Sequence, residues 1–302
     1  MSRTAWIALS VIVVILVIVA VGLAAFLGGD ETSTPNSAAP PPPETGVFEL
    51  PLSDDPSVLT LGGHARNLLV GIAARRGGPV EVVALRAESP VPAGELRITI
   101  GGRRVAASPC GRGCSRVSAP VLAGRERTLA VRAGAQAVSF DLPAQLPADG
   151  DAIFGRALRT MDSLRTYRFT ERLSSGRGRV ISRIDVQAPN RLQLRTRGFR
   201  SVIIGNTRWD RRGGRWEQSS FPGLDVRDIL MWHDARNPRI VRQLAGGGQE
   251  LTAFGLKPVP AWFRLEVAPS GRVTEAEMTA VSHFMLHRYT DFDQGVAIKA
   301  PR

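Results

Sequence analysis

The pattern of hydrophobic and polar positions changes character three times along the chain. Ala5–Leu27 is an uncharged run of 23 residues. At the helical rise of about 1.5 Å per residue it makes a rod of roughly 34 Å, enough to cross a ~30 Å hydrocarbon core. Arg3 precedes it and Asp30 and Glu31 follow it, so residues 1–28 read as a cytoplasmic stub and single-pass anchor with everything downstream outside the plasma membrane. The alternative is a cleaved signal peptide with a loose small-residue site around Ala20–Ala25. Residues 29–46 then lose all hydrophobic pattern and end in Pro40–Pro43, which makes them a proline-stiffened linker.

From residue 47 to 147 short apolar runs alternate with turn residues: LLVGIAA, VEVVALRAE, ELRITI, RVAAS, RTLAVRA and AVSFDL. Gly101-Gly102 is a two-residue hairpin signal, and about seven short strands in a hundred residues predict an Ig-like β-sandwich. The pattern turns helical once. After Asp149, read as an N-cap, Ile153, Ala157, Leu158, Met161 and Leu164 recur at helical spacing. Strands resume with TYRFTERLS and RVISRIDVQ around Ser175-Gly176, then RLQLRT, SVIIGNTRWDRR and RWEQSS. Asp225–Trp232 and Pro238–Leu244 read as helical insertions, and AWFRLEV to SHFMLHRYTDFD returns to strand. The fold class expected is therefore mainly β: a transmembrane helix, a sandwich, and an α+β unit over 148–302 in which an antiparallel sheet wraps on helices as a half-barrel.

Composition changes this picture little. The net charge is +12, carried almost wholly by arginine, with Lys257 and Lys299 the lysines. The arginines are scattered singly along strands, which reads as a solvated surface, with attraction to anionic lipid head groups as the alternative. An exported chain rarely meets nucleic acid, and none is expected as a partner. Cys110 and Cys114, separated by Gly-Arg-Gly, read as a local disulfide outside the cytoplasm; a soft metal site is the other reading, with no His or Met within ten residues to complete it.

Two family resemblances rest on particular residues. Residues 64–121, through LLVGIAARRGGPVEVVALRAESPVPAGELRITIGG and PCGRGC, resemble the Ig-like domains beside actinobacterial copper-resistance membrane proteins. Residues 149–301 resemble the lipoprotein-carrier (LolA/LppX-like) superfamily through Ala188-Pro189-Asn190-Arg191-Leu192, Thr207-Arg208-Trp209 and Arg288-Tyr289-Thr290-Asp291-Phe292. The second resemblance implies an apolar cavity that takes a lipid, an acylated protein or another hydrophobic ligand, with candidate lining residues Trp209, Trp216, Trp232, Trp262, Phe263 and Phe284. The chain departs from that superfamily in having no lipidation cysteine.

No hydrolase, phosphate-loop or dinucleotide motif is present, so no catalytic residues and no cofactor are expected. A weak metal alternative is His283-x-Met285-x-His287. On a strand these share a face, but the two histidines lie about 13 Å apart, too far to hold one ion together. The functional expectation is a non-enzymatic, membrane-anchored binding protein. The alternative is an accessory or sensory module in copper or envelope-stress handling, acting through an unknown protein partner.

Overall fold

The structure is a computed structural model that describes residues 50–87, 91–175, 178–257 and 259–302. The anchor expected at Ala5–Leu27 and the linker at 29–46 lie outside the described residues. Among those described, no helix is long and apolar enough to cross a membrane.

The N-terminal half is built from β1 (Val58–Ala65), β2 (Leu68–Arg75), β3 (Val80–Arg86), β4 (Leu96–Ile100), β5 (Arg103–Arg104), β6 (Ala107–Gly111), β7 (Cys114–Val117), β8 (Arg127–Ala133) and β9 (Gln136–Leu142). They form two antiparallel sheets, ordered β1-β2-β3-β7-β6 and β5-β4-β8-β9. Leu59, Val70, Ile72 and Val82 of the first share one core with Ile98, Leu129, Val131 and Phe140 of the second. With β1 set aside, β2-β3-β7-β6 over β5-β4-β8-β9 has the A-B-E-D over C′-C-F-G connectivity of an Ig-type sandwich. Gly101 and Gly102 make the β4–β5 hairpin in left-handed conformation, φ 57° and 78°, as their position in the sequence predicts. Cys110 and Cys114 are joined as a disulfide across the β6–β7 hairpin. Strand β1 is an addition: its VLTLGGHA has too many small residues to declare itself as a strand.

The C-terminal half opens with α1 (Asp151–Asp162). Its N-cap is Gly150; Asp149 sits one residue earlier and accepts from the Asp151 amide at 2.8 Å, correcting the cap expected from sequence. Eleven strands follow: β10 (Thr166–Ser174), β11 (Arg179–Gln187), β12 (Arg191–Thr196), β13 (Phe199–Ile204), β14 (Thr207–Arg212), β15 (Arg215–Ser220), β16 (Arg236–Gln243), β17 (Gln249–Gly255), β18 (Ala261–Val267), β19 (Val273–Ala280) and β20 (His283–Thr290). The expected helix at 238–244 is instead β16, and 225–232 contains one short 3-10 turn at Val226–Ile229. Pro238 begins no helix because the stretch pairs with β17 as an edge strand, where a missing amide costs least.

These strands form one antiparallel sheet, β15-β14-β13-β12-β11-β10-β20-β19-β18-β17-β16. It consists of two meanders joined at a β10–β20 seam, so β15 and β16 are the two open edges. The inner face carries Phe169, Ile184, Val186, Leu194, Ile203, Leu251, Phe263 and Leu265, packed against Phe154, Ala157 and Met161 of α1. Residues 221–235 must connect one edge to the other, and they cross this inner face.

The outer face of β17–β20 packs on the sandwich. Strand β2 is buried on both sides, which is why its sequence is continuously apolar: Val70 and Ile72 enter the sandwich core while Leu69 and Gly71 face the other way. A methyl group at Gly62 or Gly71 would lie 2.4 Å or 2.1 Å from the Trp262 indole, so those two glycines form the cradle in which it sits.

Candidate functional site

The inner face of the large sheet is the candidate site, and strand alternation decides which side chains reach it. In β18, Phe263 and Leu265 point inward and Trp262 outward. Trp262 is 2% exposed, but what covers it is the glycine cradle of the sandwich. Phe284 is also outward, stacked on His64 of β1 with ring centroids 3.8 Å apart. Trp209 and Trp216 pair across strands with Val202 and Arg211 on the outer face of the opposite meander. Of the six aromatic residues expected around one cavity, Trp232 and Phe263 are the two in the inner apolar cluster. The other four lie on the outer side because tryptophan content carries no information about strand phase.

Residues 221–235 complete the inner core. Phe221, Leu224, Val226, Ile229, Leu230 and Trp232 are all buried in the same cluster as the sheet and α1. Trp232, 0% exposed, meets Phe154 of α1 edge to face at 5.8 Å. Two backbone hydrogen bonds tie this segment to the loops of the sheet, Phe221 N–H to the Asn206 carbonyl (2.8 Å) and Val226 N–H to the Pro189 carbonyl (3.3 Å). The rest of its attachment is mainly apolar packing, joined by a polar chain through Trp232 and by a 3.8 Å approach of His233 Nε2 to the Asp162 carboxylate of α1.

That chain starts in the segment and ends on the seam. The Trp232 indole N–H donates to the Tyr289 hydroxyl at 3.3 Å. The hydroxyl lies 3.2 Å from His287 Nδ1, and His287 Nε2 lies 2.9 Å from a Glu171 carboxylate oxygen. With the imidazole proton on Nε2, every donor has an acceptor, and this network assigns that tautomer. Glu171 and His287 are directly opposite on β10 and β20 and both are buried. Burial and the neighbouring Glu171 charge push the Tyr289 phenol up, so it stays a neutral donor. Burial likewise holds Tyr167 protonated, and its hydroxyl lies 3.5 Å from the Val226 carbonyl of the crossing segment.

The metal alternative at His283, Met285 and His287 does not fit this arrangement. Both ring nitrogens of His287 are engaged by Glu171 and Tyr289, and His283 Nδ1 lies 3.3 Å from the Val281 carbonyl. Glu171 and Tyr289 are site residues that sequence reading passes over. The available signal was a carboxylate at an inward position of YRFTERL, between the inward Phe169 and Leu173.

An antiparallel sheet wrapped on one helix, with a buried polar chain inside an apolar face, defines the class of molecule. No family model matches the chain, and no curated protein matches it. Among solved structures it is similar to LprF from Mycobacterium bovis, at 12% identity over 52% of this chain and 99% of that one, with a TM-score of 0.40. It is also similar to the lipoprotein LppX from Mycobacterium tuberculosis, at 11% identity over 49% of this chain and 97% of that one, TM-score 0.39. A DUF1329 family protein from Desulfovibrio piger aligns at 10% identity over 50% of this chain and 96% of that one, TM-score 0.27. At such identities and scores the likeness has no bearing on the ligand.

Proposed function

We propose that this is a membrane-tethered, extracytoplasmic binding protein whose half-barrel takes up a hydrophobic or amphiphilic ligand, a lipid or an acylated protein, without bond chemistry. The observation that supports this is the edge-to-edge segment 221–235: it closes the inner apolar face with six side chains while contributing no strand to the sheet. Each such side chain is worth roughly 1.5–3 kcal/mol of burial, about 9–18 kcal/mol together. An acyl chain of about 15 methylenes at roughly 0.8 kcal/mol each contributes a similar amount, ~12 kcal/mol. Ligand and segment therefore compete on nearly equal terms for one apolar face, the condition for a reversible exchange. The Glu171–His287 pair gives the polar end of an amphiphile a partner inside the barrel once Trp232 leaves Tyr289.

The test is uptake of a fluorescent fatty acid by the delipidated full chain, followed by native mass spectrometry. The expected results are stoichiometric binding and a change in tryptophan emission that disappears in Trp232→Phe. A delipidated protein that binds no fatty acid overturns the reading.

A further inference from the structure

The outer face of β11–β15 carries a second site. The arginines that look scattered in sequence are brought into one row by strand register: Arg183 is directly opposite Arg195, Arg195 opposite Arg200, Arg200 opposite Arg211, and Arg211 opposite Trp216. Four like charges in consecutive cross-strand register, about 4.8 Å from strand to strand, span roughly 14 Å. Like charges directly opposite destabilise a sheet, so this row opposes folding wherever it is left uncompensated.

Compensation within the chain is partial. Arg195 is bonded to Asp185, and the Arg211 guanidinium lies 5.9 Å from the Trp216 ring centre. Arg183 and Arg200 are exposed and have no ion-pair partner among the described residues. Residues 179–217 hold ten arginines against Asp185, Asp210 and Glu217. The C-terminal tail is fixed two rows away on the same face, where Arg191 donates to the Ile298 carbonyl and Gln187 accepts from its amide, each at 2.8 Å.

We propose that this arginine row is a docking surface for anionic phospholipid head groups. Charge complementarity requires a ligand with several anionic groups spread over the row. The apolar residues beside it favour a lipid surface over a soluble polyanion. Ile181, on the same face of β11 as Arg183, is 52% exposed, and Trp216, an amphipathic ring suited to a headgroup boundary, ends the row. The membrane-length run Ala5–Leu27 in the same chain points to the same surface. Docked this way, the convex side of the half-barrel lies against the bilayer.

The experiment uses the full chain with Trp6→Phe, which silences the tryptophan of the apolar run, reconstituted into nanodiscs of phosphatidylcholine with or without phosphatidylglycerol. Brominated lipid reports contact with Trp209 and Trp216, since Trp232 and Trp262 are buried. Quenching is expected in anionic nanodiscs at low salt and is expected to fade as salt rises. Each arginine is worth about fivefold in docking, so the double variant R183Q/R200Q is expected to weaken it about 25-fold while melting no lower than the parent. Equal quenching in neutral nanodiscs, or quenching unchanged in R183Q/R200Q, overturns the proposal. A lower melting temperature of the double variant overturns it too, because the row would then be structural. Stabilisation by inorganic polyphosphate without any lipid response would mark a soluble polyanion as the occupant and sink the membrane assignment.

Discussion

The two meanders of the large sheet treat charge on their outer faces in opposite ways. On β16–β20, arginines stand directly opposite carboxylates, Arg242 with Glu250, Arg264 with Glu277, and Arg288 with Glu275 at 2.8 Å, so that the three carboxylates Glu250, Glu266 and Glu275, which face one another across β17–β19, are closed by arginine at both ends. That meander also carries Trp262 and Phe284 into the sandwich. On β11–β14 arginine stands opposite arginine, and among the described residues the sandwich packs on the other meander. One half of the outer face is finished as protein interior and paired surface; the other is left electrostatically incomplete. Within a single sheet of common topology, that difference separates what the fold needs from what a partner supplies.

The largest test of the comparison is the removal of what finishes the first meander. Trp262→Ala leaves a cavity against Gly62 and Gly71 and is expected to cost ~3–5 kcal/mol, read from urea unfolding. If instead the loss is under ~1 kcal/mol, the sandwich and the sheet are not held together through that cradle. Next comes the seam between the meanders. Glu171→Ala strands a buried imidazole next to Tyr289 and is expected to cost about 3–5 kcal/mol, whereas replacing both Glu171 and His287 by apolar residues of similar size is expected to be neutral or stabilising. A double replacement as damaging as the single one would mean the pair is required for folding, and would remove its availability for a ligand. A smaller effect sharpens the contrast by its sign. Arg264→Glu sets a second carboxylate opposite Glu277 and is expected to destabilise by ~0.2–1 kcal/mol, while Arg200→Glu, between Arg195 and Arg211, is expected to stabilise by a similar amount. Effects of the same sign in thermal melts would show that the two faces are not differently compensated.

How much of this was legible in the sequence differs from element to element. The Ig-type sandwich and the helix-plus-sheet order followed from period and turn chemistry, because Gly101-Gly102 and Gly213-Gly214 mark their hairpins plainly. The arginine row was also encoded, though not in the arginines. Two-residue turns at 197–198, 205–206 and 213–214, with Gly198, Gly205, Gly213 and Gly214 at positive φ, fix the register, and that register forces 195 opposite 200, 200 opposite 211 and 211 opposite 216. Reading residues by type found scattered charge; reading them by pairing finds a row. The cavity residues failed for a different reason. Trp262 and Phe263 are adjacent, so one must face outward, and nothing local says that the outward side of AWF is also buried. That depends on Gly62 and Gly71 about 200 residues away. Strand β16 was misread because RIVRQL has apolar spacing compatible with a helix, and only its pairing with β17 resolves it.

The smallest effect tests whether the sandwich joint is finished as well as it looks. His64 of β1 is stacked on Phe284, its Nδ1 has no hydrogen-bond partner among the described residues, and the Glu277 carboxylate lies 3.9 Å away. Glu277 favours the imidazolium, while Arg172 and Arg264 oppose it together with burial, which is the largest influence; the net result holds His64 below its ordinary value of 6.5. The folded protein therefore takes up the His64 proton less readily than the unfolded chain. Above about pH 6.5 both states are neutral at this site and the joint keeps its full stability. As pH falls through 6.5 the unfolded chain binds the proton first, so stability declines until the folded pKa is passed. The urea midpoint is expected to drop between about pH 7 and about pH 5, and this part of the drop is expected to vanish in His64→Gln, which cannot titrate. A midpoint that rises on acidification, or a slope unchanged in His64→Gln, would mean that Glu277 outweighs burial and that the joint holds an ion pair instead of a neutral stack.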